Sequence, residues 1–319
     1  MADTLACVID TDPGIDDALA LFIACASPEF DILGVTTCAG NIGLETTTAN
    51  ALKLLEFCGR GGIPVIPGAA KPLRRAAIEA GEIHSADGLG GQIFPLSRNR
   101  PLAEDAPDWL TRLLASRPEQ TVTVLALGPL TNIAALFERA PDAARRLQGI
   151  IAMGGAVRDA GNVTPFAEFN IAADPEAAEI VVKSGIPLTL APLDVTRQAA
   201  AGRDWCAALA ASGLEAGRIA AAMALRYMEN VSLWRLSKGM PPAEAAVQAI
   251  PLHDPCVMLR VIEPALFKAE ILPLSVDCGG AQSGRTRIDA ARGAPVTVLT
   301  GVDTKRALAL AAERILRLK

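Results

Sequence analysis

The sequence predicts an α/β fold: a mostly parallel central sheet with helices on both faces, a Rossmann-like open sheet with extra helices in the C-terminal half. Three observations carry that prediction. Short, continuously apolar runs recur along the 319-residue chain, Ala-rich segments with helical signals separate them, and no linker or repeat interrupts the pattern. A strand that is apolar on both sides must be covered on both sides, which is the environment of a buried parallel sheet.

The strands are expected at 5–10 (LACVID), 31–37 (DILGVTT), 63–67 (IPVIP), 121–127 (TVTVLAL), 148–153 (QGIIAM) and 186–194 (IPLTLAPLD). Helices are expected between them at 16–27, 45–59, 105–116, 131–140 and 174–184. From 203 to 235 the chain reads as largely helical. Two further strands, near 269–276 and 295–300, precede a closing helix with Asp303 as its N-cap. The second half reads as decoration on one core, so a single domain over 1–319 is expected. In such a sheet, ligands bind beyond the carboxyl ends of the strands.

Composition removes several function classes. The formal charge is -5, which argues against a nucleic-acid partner, since that would need a basic face. No apolar run reaches membrane-spanning length, and MADTLACVID lacks the basic start of a secretory signal. Seven cysteines, at 7, 25, 38, 58, 206, 256 and 278, are scattered without a C-x-x-C spacing. That usage fits reduced thiols and a cytoplasmic location.

The chemistry concentrates in "DTDPGIDDALA", where Asp10, Asp12, Asp16 and Asp17 crowd between two apolar runs. Like charges a few ångströms apart repel by about 1 kcal/mol per pair even in bulk water. One or two of these residues could turn the chain or cap the helix starting near Ala18, but four exceed that need. A hard divalent cation is the economical account. Carboxylates without thiolate or imidazole neighbours suit Ca²⁺ or Mg²⁺, and Ca²⁺ better tolerates an irregular ligand set.

This signature resembles that of the inosine-uridine-preferring nucleoside hydrolases, calcium-dependent N-ribohydrolases of ribonucleosides. The resemblance continues in order through "TTCAGN" (36–41), "IHSADGLGG" (83–91), "LALGPLTNIA" (125–134), "MGGAVRDAGNVTPFAEFNIAADPEAA" (153–178), "PLDVT" (192–196) and "HDP" (253–255). It implies calcium ligation by Asp12, Asp17, Asp254 and the carbonyl of Leu127, with ribose hydroxyls completing the set. Asp12 is implied as general base for the calcium-bound water, and Asp10 as its hydrogen-bonding support. Asp16 would bind the ribose 2'-hydroxyl. Asn41, Asn162, Glu168 and Asn170 match sugar-binding positions, Asn162 and Glu168 towards the 5'-hydroxyl, while Met153 and Phe169 line the pocket. A homotetramer or homodimer, and a place in nucleoside salvage, are implied in the same way.

The chain holds two histidines, His84 and His253. His253 directly precedes Asp254, and the resemblance associates it with protonation of the leaving base. His84 lies in a Gly-rich loop expected to be mobile and to close over the base, and would bind substrate near the base. Asp174 before Pro175 reads as a helix N-cap with Pro at N1. Asp194 closes an expected strand and offers support at most. Tyr227 and Trp234 lie in an amphipathic stretch, "RYMENVSLWRL", with core packing as the first reading and base stacking as the second. Ser85 and Arg197 stand where many members carry glycine and histidine, which leaves the choice between purine and pyrimidine open.

Two other functions compete. D-x-D after an apolar strand also opens the haloacid-dehalogenase-like Mg²⁺-dependent phosphatases, but Gly14 stands where these place Thr or Val, and no later G-D-x-x-x-D-like pair follows. A non-catalytic nucleoside-binding protein would retain the sugar pocket, although Asp12 and His253 together argue against lost chemistry.

Overall fold

The computed structural model describes residues 4–78 and 80–318. Its strands are β1 (Leu5–Thr11), β2 (Phe30–Thr37), β3 (Val65–Pro67), β4 (Thr123–Ala126), β5 (Gly149–Met153), β6 (Leu188–Ala191), β7 (Ala200–Gly202), β8 (Ala249–Pro251), β9 (Phe267–Val276), β10 (Thr286–Ile288) and β11 (Ala294–Val302). Nine of them form one sheet in the order β10-β9-β11-β6-β5-β4-β1-β2-β3. From β3 to β11 every neighbouring pair is parallel; β9 alone runs against the rest, and β10, antiparallel to β9, runs with them again. β7 and β8 form a separate antiparallel pair.

The expected α/β sheet is therefore present, with helices on both faces. On one side Ile15–Cys25, Glu215–Ser237, Pro255–Ile262 and Thr304–Ile315 pack into one apolar cluster. On the other, Ala106–Ser116, Thr131–Arg139 and Pro175–Val182 pack into a second. β1 ends in five buried residues because both its faces are covered.

Local signals explain where elements stop. The expected strand 186–194 ends at Ala191, because Pro192 cannot donate to a ladder and starts the helical turn Leu193–Thr196. Asp194 thus sits in that turn rather than closing a strand. The first helix begins at Ile15 with Gly14 as N-cap, one residue before the aspartates expected to cap it. Asp17 contributes from inside the first turn, accepting from Gly14 N at 2.9 Å. Asp174 does cap its helix, accepting from Ala177 N at 3.1 Å, and Asp303 accepts from Arg306 N at 3.1 Å.

The topology places the site. β1 pairs with β2 on one side and with β4 on the other, so the chain order reverses at β1. Adjacent strands whose connections leave in opposite directions open a crevice at their carboxyl ends. Asp10 and Asp12 stand at the end of β1, and Leu127 follows β4 directly.

Candidate functional site

All four N-terminal aspartates are buried, as is Asp254. Asp10, on β1 itself, accepts from Thr36 Oγ1 at 2.5 Å and Asn132 Nδ2 at 2.7 Å through Oδ1, while its Oδ2 has no partner. Burial pushes its carboxyl up to about 6, against those two hydrogen bonds. Asp12 accepts from Asn41 N at 2.7 Å through Oδ2, and its Oδ1 is buried without a partner. Gly40 and Gly128 flank this carboxylate from the ends of two strands. A Cβ at either position would collide with it.

Asp17 is held by Thr11 Oγ1, Gly14 N and Asn41 Nδ2, the last at 3.1 Å. Asp254 takes the N-cap position of Pro255–Ile262, yet its carboxylate makes no capping bond. Carboxylate oxygens of Asp16, Asp17 and Asp254 lie within 4.8 Å of one another. The Leu127 carbonyl accepts from Asn170 Nδ2 at 2.7 Å. A carbonyl has a second lone pair, so that bond leaves ligand capacity.

Burial, followed by the neighbouring carboxylates, drives Asp12 and Asp254 well above the usual carboxylate range. Burial raises Asp16 to about 6. Carboxylates this close can all ionise only if something positive offsets them. Among the described residues no basic side chain occupies that role: His84 Nδ1 stands 3.9 Å from Asp16, but burial lowers the ring to about 4 and keeps it neutral. An all-oxygen donor set with an orphaned carboxylate oxygen beside it fits a hard cation.

A cavity of about 770 Å³ opens onto this cluster, lined at its inner end by Asp16, Asn41, Leu127, Met153, Asn170 and Asp254. Phe169, Glu168 and Asn162 line it further along. Glu168 caps the helix Phe169–Ala173, accepting from Asn170 N at 2.9 Å and Ile171 N at 3.2 Å, and also from Gly155 N at 2.8 Å. Asn162 is exposed in the loop before it. Most of the sequence-derived residues thus converge on one cavity, while Asp10, Asp12 and Asp17 are buried behind its lining.

His253, Tyr227 and Trp234 also line the cavity, so the two aromatics are not confined to the core. His253 Nδ1 is 2.8 Å from Thr196 Oγ1. Burial, and then the Arg197 charge, lowers the ring to about 3. Arg197 donates to Ala160 O at 2.7 Å and Gly161 O at 3.1 Å, pinning the loop that carries Asn162. Asp194 supports the same loop, accepting from Val157 N at 2.9 Å and Arg158 N at 2.7 Å.

Sequence reasoning did not single out Thr196, Thr36, Asn132 or Asn50. A hydroxyl or amide acting on a neighbour between 26 and 122 residues away, as these four do, leaves no local pattern.

The profile of the inosine-uridine preferring nucleoside hydrolases matches residues 7–309. The chain belongs to that family. It is a ribonucleoside hydrolase, a glycosidase acting on N-glycosyl compounds, as its sequence led one to expect. A pyrimidine-specific ribonucleoside hydrolase RihA of Photobacterium profundum is 39% identical over 283 residues, 88% of this chain and 88% of that one. Among solved structures, the plant nucleoside hydrolase PpNRh1 superposes with a TM-score of 0.89 at 36% identity, covering 98% of this chain and 99% of that one. A purine-preferring ribonucleoside hydrolase from Gardnerella vaginalis reaches the same TM-score at 29% identity, covering 98% of each. Close likeness thus extends to relatives named for opposite bases. Among the described residues no helix is long and apolar enough to cross a membrane.

Proposed function

We propose that this ribonucleoside hydrolase works with Ca²⁺ held by Asp12, Asp17, Asp254 and the Leu127 carbonyl, and that Asp12 is its general base. The observations that carry the reading are the convergence of the Asp16, Asp17 and Asp254 carboxylates within 4.8 Å and the buried, partnerless Oδ1 of Asp12, whose carboxylate feels the charge of theirs. A cation bound there would acidify a water and take ribose hydroxyls as ligands.

The remaining work belongs to the chain. Asp12 accepts the proton of the attacking water, held in place through Asn41 N and by the room that Gly40 and Gly128 leave. Asp16 takes the ribose 2'-hydroxyl, its carboxylate standing with those of Asp17 and Asp254. Asn41, Asn162, Glu168 and Asn170 bind the sugar, and Met153 and Phe169 exclude water from its face. Cleavage of the C–N bond builds positive charge on the sugar, as in glycoside hydrolysis. The surrounding carboxylates stabilise that charge as it forms. His253, oriented by Thr196, assists the departing base with a hydrogen bond, and His84 contacts the base.

The whole chain acts as one domain, a reading supported by β11, near the C-terminus, pairing with β6 in the sheet. A cytoplasmic enzyme that forms a homodimer or homotetramer and serves nucleoside salvage completes the proposal. All seven cysteines are unpaired, which supports a reducing compartment. Assay of ribose release from inosine, uridine, cytidine and adenosine tests the reading. Release should vanish with EDTA and return with Ca²⁺; hydrolysis indifferent to chelation would refute the metal assignment.

A further inference from the structure

The turn that carries His84 runs against its own backbone preference. Ser85 sits at φ 71° and ψ 163°, a region open to glycine and costly for any residue with a Cβ. Such a conformation persists only where its surroundings hold it.

Three contacts hold it here. Asn230, on the helix Glu215–Ser237, donates from Nδ2 to Ile83 O and to Ser85 Oγ, each at 2.9 Å. An amide nitrogen has two hydrogens, and both are engaged. Asn50 Nδ2 donates to Asp87 O at 2.8 Å and Pro13 O at 3.3 Å, tying the same turn to the aspartate loop. Finally, Ile15 N donates to His84 Nδ1 at 3.0 Å.

These contacts define the imidazole. A backbone N–H can only donate, so Nδ1 is the acceptor and the proton of the neutral ring resides on Nε2. His84 is therefore a hydrogen-bond donor of fixed tautomer, and its usefulness depends on where the ring stands. Tyr227, three residues before Asn230 and so on the same helical face, meets the ring edge-on at 5.7 Å between centroids. One face of one helix both packs the ring and ties down the backbone around it.

We propose that Asn230 is a positioning residue: by donating to Ile83 O and Ser85 Oγ together, it holds Ser85 in a glycine-type conformation and so fixes the His84 ring against the nucleobase. The inference rests on His84 facing the base in the functional reading above. It also gives a chemical reason why serine can stand after this histidine: the hydroxyl supplies the second acceptor for Asn230.

The test compares wild type with Asn230→Ala, Asn230→Asp, Ser85→Gly and the double variant Asn230→Ala/Ser85→Gly. Substrates are uridine, inosine and p-nitrophenyl riboside, whose activated leaving group needs little from the base end. Either Asn230 variant should raise KM for both nucleosides by about tenfold and change kcat/KM on the aryl riboside by less than about twofold. Ser85→Gly alone should stay near wild type, and in the double variant it should restore most of the lost affinity, because glycine adopts the turn unaided. With two histidines in the chain, imidazole-nitrogen NMR resolves both rings. The His84 signals should shift in Asn230→Asp, and those of His253 should not. Unchanged nucleoside KM, or equal losses on all three substrates with no recovery from Ser85→Gly, overturns the proposal. If Asn230→Ala does not fold, the isosteric Asn230→Asp decides. A wild-type chain releasing no ribose would sink the functional reading instead, and the imidazole spectra would still show whether Asn230 sets His84.

Discussion

The two ends of the cavity are built differently. At the inner end, Asp12, Asp17, Asn41 and Leu127 stand on or next to the carboxyl edges of β1, β2 and β4, and the aspartates are almost fully enclosed. Their hydrogen bonds run to backbone N–H groups and to buried hydroxyls and amides. At the outer end, Asn162, Arg197, Tyr227 and Trp234 come from a loop, a helical turn and a long helix, and none of the four is fully buried. A sheet edge fixes positions to within the register of its strands. Loops and helix faces can change side chain by side chain without disturbing the core. Under the proposed roles, with sugar at the inner end and base at the outer, the difference gives a physical reason why relatives named for opposite bases can share one fold.

That contrast can be broken most severely at the inner end. Asp12→Asn keeps the shape but removes the proton acceptor, so kcat should fall by about 10³-fold on every substrate. Retention of more than a tenth of the activity would remove Asp12 from the base role. At the outer end, His253→Ala should lower inosine turnover by about a hundredfold while barely changing that of p-nitrophenyl riboside. Equal losses on both would place His253 in the sugar chemistry.

The pH dependence of calcium's effect on melting sharpens the comparison thermodynamically. Asp12, Asp16 and Asp254 are raised in the metal-free fold, so protons and the cation compete for the same oxygens. A carboxylate raised above its unfolded value destabilises the fold as pH climbs towards its folded value, and a cation reverses that penalty. Calcium at a hundredfold excess over its Kd should stabilise by about 2.7 kcal/mol, or about 5 °C in Tm. That gain should be greatest near pH 8 and shrink steadily towards pH 5. A gain that grew on acidification would exclude ionised carboxylates as ligands.

Arg197→Ala is expected to be the mildest change. It frees the loop that carries Asn162 at Ala160 O and Gly161 O, yet leaves the aspartates untouched. A loss of about 1 kcal/mol in binding would raise KM about fivefold with kcat nearly unchanged. A matching fall in kcat would show that the loop reaches into the chemistry.

Much of this molecule was legible before folding was considered. The buried strands announced themselves because apolar residues fill both faces, and β1, β2 and β5 fall within one residue of the expected limits. Short strands did not: β7, β8 and β10 have three residues each, too few for any pattern to stand out. The aspartates were conspicuous because charge beside a core demands an explanation. Asn230, Asn50 and Thr196 were invisible for the opposite reason, since a neutral amide or hydroxyl on a helix or turn is ordinary in sequence.

The sequence by itself determined the layered α/β architecture and the crowding of the N-terminal aspartates, because burial and charge are written locally into residue type and spacing, and the resemblance of its motifs supplied the family. Tertiary structure alone decided which oxygen of Asp12 is left without a partner, which nitrogen of His84 accepts, and how Arg197 and Asn230 set the outer wall. Those outcomes depend on contacts between segments as many as 147 residues apart, and on backbone donors whose direction exists only once the sheet has brought the loops together.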